Sequence, residues 1–233
     1  MKVKIRKNIL ILILVLLFAI IGVICFITIK NQINSSIKEK AFENIRVNIE
    51  QRKYNKIGDN LYYTNELIEN KGRDEESILK YYQIISDFVK ENFDCDIYIS
   101  NLNYDVGKMY FNGYQMINEI IIEDVYFTIT IQDNNVQSID FLRNQFINED
   151  IEKNNLLSVE EMNETASNVA RENADAMLNS SNIDDINGEG YFKYDETDGV
   201  YYNVDLNHGS YIKINPKKGN VIHTYFFNGI IID

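Results

Sequence analysis

The chain has 233 residues, and its 35 acidic against 23 basic side chains leave a formal charge of −12. That balance speaks against nucleic acid as a partner, because neutralising phosphates takes clustered Lys and Arg. Two cysteines cannot form a disulfide framework, and Cys25 inside an apolar run has no plausible bridge to the distant Cys95.

The first predicted element is the uncharged stretch Asn8–Ile29. At a helical rise of about 1.5 Å per residue it reaches roughly 33 Å, so the sequence predicts a transmembrane helix and a lipid bilayer as one partner. Lys2, Lys4, Arg6 and Lys7 precede it, which puts residues 1–7 in the cytoplasm and the rest of the chain on the extracytoplasmic side of the cell membrane. A cleaved signal peptide would need a shorter apolar run and a small-residue site, and Ile27-Thr28-Ile29-Lys30 offers none. All 35 acidic residues and 18 of the basic ones follow residue 30, leaving that part with 17 negative charges.

Residues 30–70 read as a polar juxtamembrane spacer. Ala41, Phe42, Ile45 and Ile49 recur at helical spacing, so part of it is expected to be a helix.

A first α+β unit is expected over residues 71–150. Asp74 is a candidate N-cap, and Ile78, Tyr81, Tyr82, Ile85, Phe88 and Val89 form one apolar helix face. Strand-like runs follow at Asp96–Ser100, Lys108–Phe111, Glu119–Ile131 and Val136–Leu142, with a tight turn at Asp133-Asn134-Asn135.

A second unit is expected over 155–233. Ser158-Val-Glu-Glu161 is a capping box, Leu157 and Met162 can staple it, and Ala166, Val169, Ala170 and Met177 share a face. The remainder reads as an antiparallel meander over Tyr191–Tyr194, Val200–Leu206, Ser210–Ile214 and Asn220–Phe227, turning at Asp198-Gly199, His208-Gly209 and Pro216–Gly219. Sliding the chain by 85 residues aligns Tyr126 with Tyr211, Ile129 with Ile214, Asn135 with Asn220, Val136 with Val221 and Phe141 with Phe226, the mark of a duplication. The expected fold class is therefore α+β: an N-terminal transmembrane helix, then two tandem small units, each a helix packed on an antiparallel sheet.

Over residues 157–227 the capped helix, the run Gly199-Val-Tyr-Tyr-Asn-Val-Asp-Leu206 and the pattern Tyr211, Ile212, Ile214, Asn215, Gly219, Val221 resemble the PepSY family. One anchor with two cystatin-like units also resembles the Gram-positive cell-wall elongation regulators of the TseB type. The resemblance implies a protein-binding or protease-regulating module beside the cell wall.

A search for chemistry yields little. His208 and His223 have no ligand-type residues at zinc spacing. Asp184–Gly188 fails the calcium-loop register, since Ile183 and Tyr194 fall where carboxylates are needed. No nucleophile elbow, zinc-protease, phosphate-loop or dinucleotide fingerprint occurs. No catalytic residue, cofactor or metal is expected, and the chain reads as a non-enzyme. Of its 16 tyrosines, Tyr191, Tyr201 and Tyr211 are expected to face outward and are the candidate partner-binding residues. The expected function is binding and regulating a membrane-bound or envelope protein, a cell-wall synthase or a protease. The alternative is a self-associating structural subunit of an envelope or sporulation complex.

Overall fold

The computed structural model describes residues 16, 18–32, 46–69, 74–173, 185–206 and 209–226. Helix α1 covers residues 18–32, with Phe18, Ile24 and Phe26 exposed. Among the described residues no helix is long and apolar enough to cross a membrane. This corrects the expected transmembrane helix: what is described of that span is the helix over 18–32, which runs on into Lys30-Asn31-Gln32. Positions 8–15 and 17 lie outside the described residues, as do Ala41, Phe42, Ile45, Met177, Asp184 and His208.

The second correction concerns the two tandem sheets. The strands among the described residues join into one mixed sheet of eleven. Its central path runs β11 (Val221–Tyr225), β10 (Tyr211–Ile214), β9 (Gly199–Leu206), β8 (Asp185–Asp195), β6 (Ile120–Gln132), β5 (Lys108–Ile117), β4 (Asp96–Asp105), β3 (Leu61–Tyr63) and β2 (Asn55–Ile57). Two strands lie off this path: β1 (Arg46–Gln51) pairs with β8 and β7 (Asn135–Phe141) with β6.

Each half has a helix followed by a four-strand meander. Helix α3 (Glu75–Phe93) precedes β4–β7, and the short α2 (Glu66–Glu69) precedes α3. Helix α4 (Val159–Glu172) precedes β8–β11. Both starts are built as the sequence indicates. The Asp74 carboxylate accepts from the Ser77 amide at 2.8 Å, and Ser158 and Glu161 cap each other reciprocally. The closing hairpins differ in register, however. Ile131 faces Val136 across a two-residue turn at Asp133 and Asn134, both at positive φ, whereas Ile214 faces Val221 across a longer loop.

A parallel strand precedes each meander. In the first half it is β3, hydrogen-bonded to β4. In the second half it is β1, in register from Arg46–Asp185 to Gln51–Gly190, so the whole first half is inserted between β1 and α4. This strand lies within the stretch read as a spacer. Val47 and Ile49 of β1 pack on the second-half core.

Two cores lie under the helices. The first joins Ile78, Tyr82, Ile85 and Val89 of α3 to Ile97, Ile99, Phe111, Phe127 and Ile129. The second joins Met162, Ala166 and Ala170 of α4 to Ile120, Ile122, Val125, Tyr202, Val204 and Ile212. Strand β6 therefore feeds both. Its register against β5 jumps from Tyr114–Tyr126 to Gln115–Ile122, so residues 123–125 bulge and the strand turns from one core to the other. The inter-half segment is held by Gln115, whose side chain donates to the Ile147 carbonyl at 2.6 Å and accepts from the Ile147 amide at 2.9 Å.

Asn163 ties the second half to β1. It donates to the Ile49 carbonyl at 3.2 Å and accepts from the Tyr202 hydroxyl at 2.8 Å. The Tyr202 ring lies over Gly190, where a Cβ would come within 1.9 Å of the hydroxyl oxygen and 2.4 Å of Cζ. A rigid ring held by Asn163 cannot yield cheaply. Gly190→Ala is expected to lower stability by about 2–3 kcal/mol, as overpacked cores do, read as a fall in the urea midpoint; an unchanged midpoint would show that Tyr202 is free to move.

Candidate protein-binding face

Strand alternation turns a second set of side chains away from α3 and α4. Tyr98 lies between the core residues Ile97 and Ile99, Ile121 between Ile120 and Ile122, and Tyr191 beside Phe192. With Met116 these form a third cluster, bordered by Tyr54, Tyr62 and Tyr114. The rings meet edge to face: Tyr54 is 5.4 Å from Tyr98 and 6.4 Å from Tyr62. Tyr114 packs on Tyr126 at 4.9 Å.

Two charged networks flank the cluster. In one, the Arg52 guanidinium lies 3.9 Å over the Tyr191 ring and pairs with Glu189 at 2.6 Å and Asp205 at 3.5 Å. The Tyr191 hydroxyl donates to Asp205, and the Asn203 amide donates to Asp205 at 2.6 Å. In the other, Glu123 on the β6 bulge pairs with Lys193 at 2.7 Å and accepts from the Tyr201 hydroxyl. Lys213 lies 4.2 Å over the Tyr201 ring and reaches Asp195 at 3.5 Å and Asp198 at 3.7 Å.

Of the tyrosines singled out from sequence, all three point away from the second core. Tyr191 and Tyr201 are nevertheless buried, at 5% and 0% exposure, because the networks close over them. Tyr211 is half-buried on the end hairpin, stacked on Tyr225 at 5.7 Å and beside His223 at 5.8 Å. The structure does not bring Tyr211 to the Tyr98–Tyr191 cluster as a ring contact. Arg52, Tyr98, Tyr114, Glu123 and Lys193 were missed by the sequence reading. Period-two alternation could have placed Tyr98, Glu123 and Lys193 on this face, but nothing local announces Arg52, which arrives through the β1–β8 pairing.

Burial and hydrogen bonding together set the protonation of the groups on this face. Burial raises the pKa of Tyr191 and Tyr201, and their bonds to Asp205 and Glu123 raise it further, so both hydroxyls stay neutral donors. Burial also works against the Glu123 carboxylate, but Lys193, the Tyr201 hydroxyl and Lys213 outweigh it and hold its pKa below the ordinary value. A carboxylate so stabilised is a weak general base. Cys95 is half-buried, and burial beside Asp96 and Asp94 pushes its thiol up to about 12, which keeps it protonated. Among the described residues, no group of three or more His, Cys, Asp or Glu side chains is placed to hold a metal ion.

An open cleft of about 600 Å³ runs along this face. Thr64, Tyr98, Tyr114 and Ile121 line it from the first half, Tyr191 and Lys193 from the second, and Arg52 stands where β1 ends. The arrangement presents aromatic edges, hydroxyls and fixed charges across the junction of the two halves.

No protein-family model matches the chain, and no curated protein matches it. Among solved structures it is similar to the C-terminal domain of YpeB from Bacillus megaterium, at 13% identity and a TM-score of 0.38, over 72% of this chain and 71% of that one.

Because the folded pKa of Glu123 lies below its ordinary value near 4.5, the unfolded chain binds the proton first as pH falls. The stabilisation is complete above that value and is lost on acidification. Glu123→Gln is expected to cost about 2 kcal/mol at neutral pH, with the gap to the parent chain closing below about pH 4, read by urea unfolding across pH. Tyr191 and Tyr201 act in the opposite direction. Their folded pKa lies above the ordinary value of 10, so their contribution holds below that value and is lost as pH rises past it. An ultraviolet absorbance titration should show exposed tyrosines ionising near the ordinary value and a later fraction ionising only as the protein unfolds.

Proposed function

We propose that this chain is an extracytoplasmic protein-binding module that docks an envelope protein on its tyrosine-rich sheet face and regulates it by that contact. The observation that carries the proposal is the cleft between the halves, where tyrosine edges, hydroxyls and preset charges form an amphipathic surface. Such a surface suits protein contact: tyrosine supplies broad contact area at low entropic cost, with a polar tip for hydrogen bonding. The PepSY-like pattern Tyr211-Ile212-x-Ile214-Asn215 to Val221 supports the same class, and a cell-wall synthase or an envelope protease is the partner it suggests.

A catalytic role has less support. Glu123 is engaged by Lys193 and Tyr201, and the tyrosines beside it hold their protons. Self-association is the second reading, favoured by the Tyr211–Tyr225 stack with His223 on the end strand, where Tyr225 is 46% exposed.

Photo-crosslinking in cells separates these readings. With p-benzoylphenylalanine in place of Tyr114, the full chain should give a discrete adduct that mass spectrometry identifies as an envelope protein. The same group in place of Glu91, on the outer side of α3, should give none. Adducts between copies of the chain, strongest from Tyr225, would select self-association; no adduct from Tyr114 would overturn docking at the cleft.

A further inference from the structure

A second cleft of about 540 Å³ adjoins the first, and the two share Arg52 and Glu66. Together they form a trough from Tyr114, across the β1 end, to Glu50 and Asn48. We infer that this trough takes a basic peptide segment of its partner, one whose Arg or Lys side chains meet Glu50 and Glu66 and lie against Tyr114. The inference rests on the docking reading above and names the chemistry of what docks.

Charge gives the first argument. Arg52 and Lys193 are the cations lining the trough, and both are engaged: Arg52 by Glu189 and Asp205, Lys193 by Glu123. Glu50 and Glu66 are exposed, and among the described residues neither has an ion-pair partner. The lip of the trough therefore presents uncompensated carboxylate charge, within a chain whose net charge of −12 attracts cations over longer range.

The aromatic lining gives an independent argument. The fold already covers tyrosines on this face with its own cations: Arg52 over Tyr191 at 3.9 Å, Lys213 over Tyr201 at 4.2 Å and Lys56 over Tyr62 at 4.9 Å. Tyr114 lines the same trough, is only half-buried, and has no cation over it among the described residues. An incoming guanidinium or ammonium over Tyr114 would repeat a contact the protein forms internally. An acidic segment would instead meet Glu50 and Glu66 with like charge.

Fluorescence anisotropy on the full chain, near physiological ionic strength, tests this with two labelled probes: a short peptide of alternating arginine and serine, and one of alternating glutamate and serine. The arginine peptide should bind and the glutamate peptide should not. The double variant Glu50→Lys/Glu66→Lys should weaken binding about tenfold. Glu91→Lys/Glu164→Lys makes the same charge change on exposed positions of α3 and α4, and should alter binding by no more than about twofold. Tyr114→Leu should weaken it about threefold while circular dichroism shows the fold intact. Equal losses in the two double variants would mean that binding follows net charge, and would overturn the inference. So would binding of the glutamate peptide as tight as that of the arginine peptide. If Tyr114 crosslinks an envelope protein in cells while the arginine peptide fails to bind, the docking reading stands and this inference falls.

Discussion

Strand β6 is the constraint on which the rest of the molecule depends. Its first residues, Ile120, Ile122 and Val125, fill the second core, and Phe127, Ile129 and Ile131 fill the first. A strand that serves two cores cannot keep a single uninterrupted register, and the bulge over residues 123–125 is where the change is made. The same bulge frees Glu123 and Asp124 from β5. Glu123 then reaches Lys193 and Tyr201, and Asp124 accepts from the Glu196 amide at 2.8 Å. The junction ladder between β6 and β8 is short, from Ile121–Lys193 to Ile122–Tyr194, so these side-chain contacts add to what holds the halves together.

Strand β1 makes the junction harder to divide. It supplies the second half with the parallel strand that β3 supplies to the first, and Asn163 clamps it from above. Because β1 continues into Arg52, the cation that organises the Tyr191–Asp205–Glu189 network is delivered by the same pairing that completes the sheet. Fold and site thus share one structural cause.

The local signals in the sequence were informative. The caps at Asp74 and Ser158, the apolar faces of α3 and α4, the alternation along β6 and the turn at Asp133–Asn134 are set by neighbours within a few residues. What could not be read is non-local. The pairing of Arg46 with Asp185 crosses the whole first half, and no periodic pattern announces it. For that reason two units that look consecutive in sequence form one sheet. The outward direction of Tyr191 and Tyr201 follows from period two, but their burial does not: it depends on Arg52 arriving from the end of β1 over Tyr191 and on Lys213 arriving from β10 over Tyr201. The membrane-crossing expectation rested on hydropathy alone, and the described helix over 18–32 is not long and apolar enough to meet it.

The central claim is that β6 and β1 make the two halves one cooperative body with a continuous binding face. Native-state hydrogen exchange of the full chain tests it most directly, because it gives an opening free energy for each segment. The account predicts that the slowest amides of β1 and β8 open together with those of β5 and β6, at the same free energy. Exchange of β1 and β8 at a distinctly lower opening free energy, with β5 and β6 still protected, would contradict it and return the molecule to two independent units.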